Sequence, residues 1–170
     1  VPDMRTLTAL IMCIWIFGCT YAQDGSAANS DFFFGAGLGL DHGGLGVRID
    51  GKVTETVGIF AGAGYNLATV GWNAGLLYRQ RTQSQRRPYV TAMYGYNMVI
   101  LTTNPGRQSG TGTNYYGPSF GGGVEFWSKE RTRFIHAGLL FPVRSSDALL
   151  ALRWSSAEPW PILLSAGFHF

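Results

Sequence analysis

The stretch "DFFFGAGLGLDHGGLGVRIDGKV", residues 31–53, sets Phe32, Phe34, Ala36, Leu38 and Leu40 against Phe33, Gly35, Gly37 and Gly39. After a short break, Leu45, Val47 and Ile49 alternate with Gly46, Arg48 and Asp50. A period of two marks a strand, because successive side chains point to opposite faces of a sheet. Glycine weakens a strand interior, so its repeated use on one phase depends on what that phase faces.

The same alternation recurs down the chain with turn residues between runs. It predicts strands at 32–40, 45–53, 57–65, 70–79, 88–101, 117–127, 133–143 and 161–170. Apolar phases continue as Val57/Ile59/Ala61/Ala63/Tyr65, Val70/Trp72/Ala74/Leu76/Tyr78 and Val90/Ala92/Tyr94/Tyr96/Met98/Ile100. Phe120/Val124/Phe126, Ile135/Ala137/Leu139/Phe141 and Ile162/Leu164/Ala166/Phe168/Phe170 complete the set, and no charge interrupts any of them. Opposite phases carry Arg48, Asp50, Lys52, Asn73, Arg79, Asn97, Glu125, His136 and His169 among many glycines.

Volume decides which phase lies inside. An eight-stranded barrel has an interior only just wide enough for its own side chains. Bulky apolar residues from every strand would overfill it, whereas glycine, serine and asparagine fit. The apolar phase is therefore expected to face lipid, around a narrow lumen filled by glycines and paired polar residues. The fold expected is an all-β, eight-stranded, antiparallel, up-and-down transmembrane β-barrel. Spanning strands of about 9–11 residues suffice for this, and closure removes the edges that hydrocarbon does not tolerate. Phe32, Tyr78, Tyr89, Phe126 and Phe168 are expected to form one aromatic girdle, and Tyr65, Trp72, Tyr116 and Phe141 the other.

Composition agrees. Charged residues make up 14% of the 170 residues, against roughly 25% in soluble domains. The 24 glycines are about twice the usual share of roughly 7%. A net charge of +3, with no basic helix or RNA-binding motif, argues against nucleic acid as a partner. Met4-Arg5 followed by the apolar run Leu7–Phe17 and by Thr20-Tyr21-Ala22 reads as a cleaved signal peptide over 1–22, with Met4 as the start. Residues 23–31 then form a short periplasmic segment and 32–170 the barrel. Gly18-Cys19 offers a lipidation site, but Phe17 is bulky where such motifs prefer a small residue. Both cysteines, Cys13 and Cys19, fall in the leader. The exported chain is thus expected to hold no disulfide, thiol nucleophile or cysteine metal site.

The closing "PILLSAGFHF", with Phe168 and the terminal Phe170, resembles the C-terminal strand of bacterial outer-membrane barrels. Together with "HAGLLFPVRSS" it is similar to the outer membrane protein β-barrel domain family of small porin-like proteins. That resemblance implies residence in a Gram-negative outer membrane among its lipids, with both termini in the periplasm. It also implies recognition of Phe168 and Phe170 by the barrel assembly machinery. The turns at 54–56, 80–87 and 128–132 then face the periplasm, and 41–44, 66–69, 102–116 and 144–160 face outward. Loops 102–116 and 144–160 are the expected contact sites for an extracellular ligand. In the second of them, Ser146 or Asp147 is placed to cap a short helix over Ala148–Trp154.

Candidate chemistry is sparse. The run Gly35-x-Gly37-x-Gly39 lacks the spacing of a phosphate cradle and no helix follows it. Arg48, Asp50, Lys52, Arg79, Glu125 and His136 are expected to form a lumen polar network, since buried charges need partners. A catalytic role for His136 needs a hydroxyl within reach. The next same-face residue is Gly138, and Ser119 and Glu125 on the preceding strand look displaced along it. His169, at the terminal end, has no better case, and the three histidines are too scattered in sequence to suggest a metal site. The basic residues Arg81, Arg86, Arg87, Lys129, Arg131 and Arg133 gather at the periplasmic turns; they are read as solvated turn charges, with contact to inner-leaflet phospholipid headgroups or peptidoglycan as the alternative. The function expected is therefore a non-enzymatic structural or surface-interaction role, with no cofactor. Narrow porin-like transport of small solutes is the alternative, and a lipid-modifying enzyme the second.

Overall fold

The computed structural model describes residues 31–102, 111–154 and 160–170. The expected leader, all of 23–31 except Asp31, and parts of both long loops lie outside the described residues. Eight strands run as β1 Phe32–Gly39, β2 Gly44–Lys52, β3 Val57–Tyr65, β4 Val70–Arg79, β5 Arg86–Thr102, β6 Thr111–Trp127, β7 Phe134–Pro142 and β8 Leu163–His169. Each pairs antiparallel with the next, and β8 returns to β1 to close a barrel. The closing seam pairs Gly35–Leu38 with Ala166–His169, and Phe170 and Phe34 extend it by exchanging backbone hydrogen bonds of 2.8 and 3.0 Å. Every strand predicted from the alternation is present.

The outward phase is apolar and bare. Phe34, Leu38, Val47, Ile59, Leu76, Val90, Leu139 and Leu164 stand exposed although the barrel is complete. Between the aromatic ends no outward strand residue is charged. Such a surface is unfavourable in water and suited to hydrocarbon. Phe32, Tyr78, Phe126 and Phe168 lie outward at the end carrying the termini, and Tyr65, Trp72 and Phe141 at the opposite, loop end. Tyr89 does not join its expected girdle. It points inward and is only 6% exposed.

Inside, the lumen holds more than glycine and charge. Phe60, Leu77, Tyr89, Met93 and Leu140 form an apolar cluster with Leu40, and Phe33, Trp127 and Phe134 pack ring against ring near the terminal end, 4.5–5.5 Å apart. Leu40 was expected to face lipid as the last residue of its phase. Instead Leu40–His42 form one turn of 3₁₀ helix, and the β1–β2 connection folds back into the barrel, where Leu40, Asp41 and His42 are all buried. The connection expected to be an outer loop is thus a plug. Gly43, in the left-handed region at φ 71°, ends the turn and donates its backbone N–H to Leu40 O at 2.8 Å.

This plug explains a group of the inner-phase glycines. A Cβ at Gly62 would collide with the Asp41 carbonyl, and one at Gly46 or Gly64 with that of His42. At Gly37 or Gly167 it would lie 2.6–2.7 Å from His42 Nε2. The small side of β1, β2, β3 and β8 is the socket for one turn of chain.

Two further departures have local causes. Tyr96 pairs with Tyr116 but Met98 pairs with Tyr115, so Asn97 is an extra residue in a bulge. One inserted residue reverses the phase, which turns Met98 inward and leaves Tyr96 packed on the inner cluster rather than facing lipid. Beyond the bulge β5 and β6 continue as a long hairpin, so Thr111–Tyr116, expected as loop, are strand. The hairpin leans on the β3–β4 connection through Asn66 Nδ2 donating to Asn114 Oδ1 at 2.7 Å and Asn114 Nδ2 donating to Val70 O at 2.8 Å. The expected helix is present as α1, Ser146–Trp154. Its cap is Ser145, one residue before the expected ones, whose Oγ accepts the Ala148 N–H at 3.3 Å.

Substituting Gly62→Leu forces a side chain against the Asp41 carbonyl. Overpacking of this kind costs about 1–3 kcal/mol or more, so the variant's unfolding midpoint in detergent should fall clearly. Gly51→Ala is the control, because its Cβ meets only the yielding Ile59 and Phe32 side chains at 3.2–3.3 Å, and its midpoint should move little.

Candidate functional site: a sealed ion network

Strand β2 sends Arg48 and Asp50 inward, two residues apart on one phase, and the plug brings Asp41 down to meet them. Arg48 donates through one terminal nitrogen to Asp41 Oδ2 and through the other to Asp50 Oδ1 at 2.7 Å. From β4, Arg79 donates to the same Asp50 oxygen at 3.1 Å and through Nε to Glu125 Oε1 of β6 at 2.7 Å. Trp127 Nε1 donates to the second Glu125 oxygen at 2.9 Å. The Arg48 guanidinium also lies 4.1 Å over the Phe60 ring. The result is a continuous chain of alternating charge, Asp41–Arg48–Asp50–Arg79–Glu125, in which every member is at most 6% exposed. A bare ion in such a place would cost several kcal/mol, and removing one member of a buried pair costs roughly 3–5 kcal/mol. β4 also grips the plug directly, since Asn73 Nδ2 donates to Leu40 O at 2.6 Å and to Tyr96 O at 3.0 Å.

The histidines join this chain. His42 Nδ1 lies 3.2 Å from Asp41 Oδ1, and His136 Nε2 lies 3.2 Å from Asp41 Oδ2. His169 Nδ1 stands 3.2 Å from Asp50 Oδ2, at ion-pair distance but off hydrogen-bond alignment. His136 Nδ1 and His169 Nε2 are 3.1 Å apart, and the Phe134 ring stacks on His169 at 4.4 Å. The scatter read from the sequence is therefore corrected: β7, β8 and the plug bring the three rings together.

Of the residues expected in the lumen network, Arg48, Asp50, Arg79, Glu125 and His136 meet in the interior. Lys52 is half-buried at the terminal-end rim and makes no bond to the network, although it borders the same small cavity as Asp50, Arg79, Glu55 and Arg87. Among the described residues Lys52 makes no ion pair within 4.0 Å. Asp41, His42, Ser165 and His169 are the members that sequence reasoning left out.

Glu125 is directly opposite His136 in the β6–β7 register, not displaced along the strand. A hydroxyl is also within reach, from the following strand: Ser165 Oγ lies 3.1 Å from His136 Nε2. The atoms of a nucleophile–base pair are thus present. However, Ser165 also donates to Asp41 Oδ1, and both Ser165 and His136 are sealed from water and from lipid.

At the terminal-end turns the basic residues are partly tied down. Arg81 pairs with Glu55, whose carboxyl the guanidinium holds below the usual carboxylate range. Arg87 donates through Nε to Gln80 O at 3.1 Å, and Arg131 donates to Gln83 O at 2.9 Å.

No known protein family matches the chain, and no curated protein does. Among solved structures it is similar to the N-terminal β-barrel domain of Pseudomonas aeruginosa OprF. The two are 20% identical, the match covers 82% of this chain and 96% of that one, and the TM-score is 0.52. That likeness concerns the fold: this chain is a closed, eight-stranded, antiparallel, up-and-down β-barrel.

Proposed function

We propose that the protein is an integral outer-membrane β-barrel that acts structurally or through its outer loops, and that it is neither a pore nor an enzyme. The observation that carries this reading is the filled lumen. An inturned plug and a paired ion chain occupy the space that a solute would need. The apolar exterior, with the likeness to the OprF β-barrel domain, supports outer-membrane lipids as its solvent. Export through a cleaved leader over 1–22 and a Gram-negative source belong to the same reading. What remains for interaction is the loop end, where the β5–β6 hairpin and the segment carrying α1 project, so loops 102–116 and 144–160 are the proposed contact sites for an extracellular ligand.

Membrane extraction with and without denaturant, followed by gels of unboiled and boiled samples, tests residence and closure together. The protein should stay with the membrane and shift in mobility on boiling. Soluble material without such a shift would contradict the reading. In planar bilayers the wild type should give no stable conductance, and reproducible open steps would favour narrow porin-like transport. An altered acylation pattern of outer-membrane lipid in cells that make the protein would instead favour the lipid-modifying enzyme.

The ion chain yields a prediction of its own. Arg79→Ala leaves Asp50 and Glu125 short of a partner, so unfolding in detergent should be easier by roughly 3–5 kcal/mol. An effect below about 1 kcal/mol, as at an exposed pair, would mean that water reaches the lumen.

Phe170 tests the proposed assembly partner. Its ring is 56% exposed, so it adds only part of the roughly 1.5–3 kcal/mol of a fully buried side chain, although its backbone extends the seam. Deleting it should sharply lower membrane-inserted protein in cells while refolding of the purified variant stays nearly normal. Equal, mild effects in both settings would make Phe170 an interfacial anchor and nothing more.

A further inference from the structure

From the geometry of His42, His136 and His169 we infer a buried binding site for a divalent transition-metal ion such as zinc. One ring nitrogen of each histidine lies within 4.8 Å of the others, and all three residues are at most 1% exposed. The decisive feature is the second nitrogen of each ring. His42 Nδ1 and His136 Nε2 face Asp41, and His169 Nδ1 faces Asp50, each at 3.2 Å. An ionised carboxylate only accepts hydrogen bonds, so His42 carries its proton on Nδ1, and Ser165, whose hydroxyl donates to Asp41, accepts from His136 Nε2. His42 Nε2 and His136 Nδ1 are then lone pairs, and His169 Nε2 becomes a third when the His169 proton moves to Nδ1 beside Asp50.

His136 Nδ1 and His169 Nε2 lie at hydrogen-bond distance, 3.1 Å apart, whereas His42 Nε2 has no hydrogen-bond partner among the described residues. A buried nitrogen lone pair left without a donor is a group that a bound cation would satisfy. The surrounding charge asks for the same thing, because the guanidiniums of Arg48 and Arg79 face three buried carboxylates, Asp41, Asp50 and Glu125. A histidine whose far N–H is held by a carboxylate is the arrangement that orients metal-ligating imidazoles. Three imidazoles suit zinc, with the fourth position left to water.

The ring planes of His42 and His136 are nearly parallel, 3° apart. Coordination therefore requires ring rotations that draw the nitrogens to about 3.3 Å, the edge of a tetrahedron with bonds of about 2.0–2.1 Å. His42 belongs to the plug and the other two to the wall, so the metal would pin the plug in its socket. The site is sealed once the barrel is closed, so loading accompanies folding. This inference rests on the fold and not on the proposed role of the loops.

The test is refolding of the full chain into detergent with zinc chloride, removal of loosely held ion by dialysis, and metal analysis of the heat-modifiable fraction. About one zinc per folded chain is expected, as for a three-histidine site whose fourth position is water, and His42→Gln and His169→Gln should reduce it to background. Refolding with cobalt should give the strong visible bands of a four-coordinate ion, lost when the sample is boiled. If the variants do not fold, the wild type decides alone. Zinc should raise its unfolding midpoint above that found with chelator, as for any ligand of the native state, and the cobalt bands should appear only in folded protein. Folded wild type that holds no zinc above background, with cobalt showing only its hydrated spectrum, would overturn the inference.

Discussion

A charge buried inside a narrow, filled barrel has little access to water, so it must be paired where it stands. Asp50 shows how far this constraint reaches. Its Oδ1 takes both Arg48 and Arg79, and its Oδ2 lies beside His169. Arg48 in turn needs Asp41, which reaches it only because the β1–β2 turn is folded inside. The turn fits only because Gly46, Gly62 and Gly64 present no Cβ to it. Ion pairing, plug and glycine phase are therefore one solution to one electrostatic problem.

The pairing also ties together strands that are not neighbours in the sheet. Asp41 belongs to the plug, Asp50 to β2, Arg79 to β4, Glu125 to β6, and His136 and His169 to β7 and β8. Cross-lumen bonds of this kind add to the ladder what the ladder lacks, a direct link between opposite walls. The apolar cluster around Leu77 and the ring stack at Phe134 fill the remaining space. Rigid walls leave variation to the loop end, where the β5–β6 hairpin extends past the bulge at Asn97.

The strands were legible because their signal is local. Alternation at 57–65 or 70–79 needs no knowledge of any partner, and the absence of charge on one phase points to lipid. The direction of a turn is not local. Nothing in "LDHGG" distinguishes an outer loop from a plug until the glycines of β3 and β8 are known to lie across from it. The bulge was hidden for a similar reason, since Asn97 reads as an ordinary inward residue and only the pairing of Met98 with Tyr115 reveals the slip. Arg48, Asp50, Arg79, Glu125 and His136 could be placed by phase alone. His42, Ser165 and His169 were missed because their partners depend on which strands neighbour β7 and on where the barrel closes. A usable signal did exist: Ser165, Gly167 and His169 place two polar residues around a glycine on the inner phase of the last strand.

Hydrogen exchange of the folded barrel in detergent, followed on peptides or amides covering residues 39–44, tests the central claim most directly. If this turn is a buried plug held by Asn73 and by the ion chain, its amides should exchange as slowly as those of the flanking strands. The exposed β2–β3 turn at 54–56 should exchange within the dead time. Fast exchange at 40–43, matching that turn, would contradict the account, because the lumen would then be open to water at its loop end.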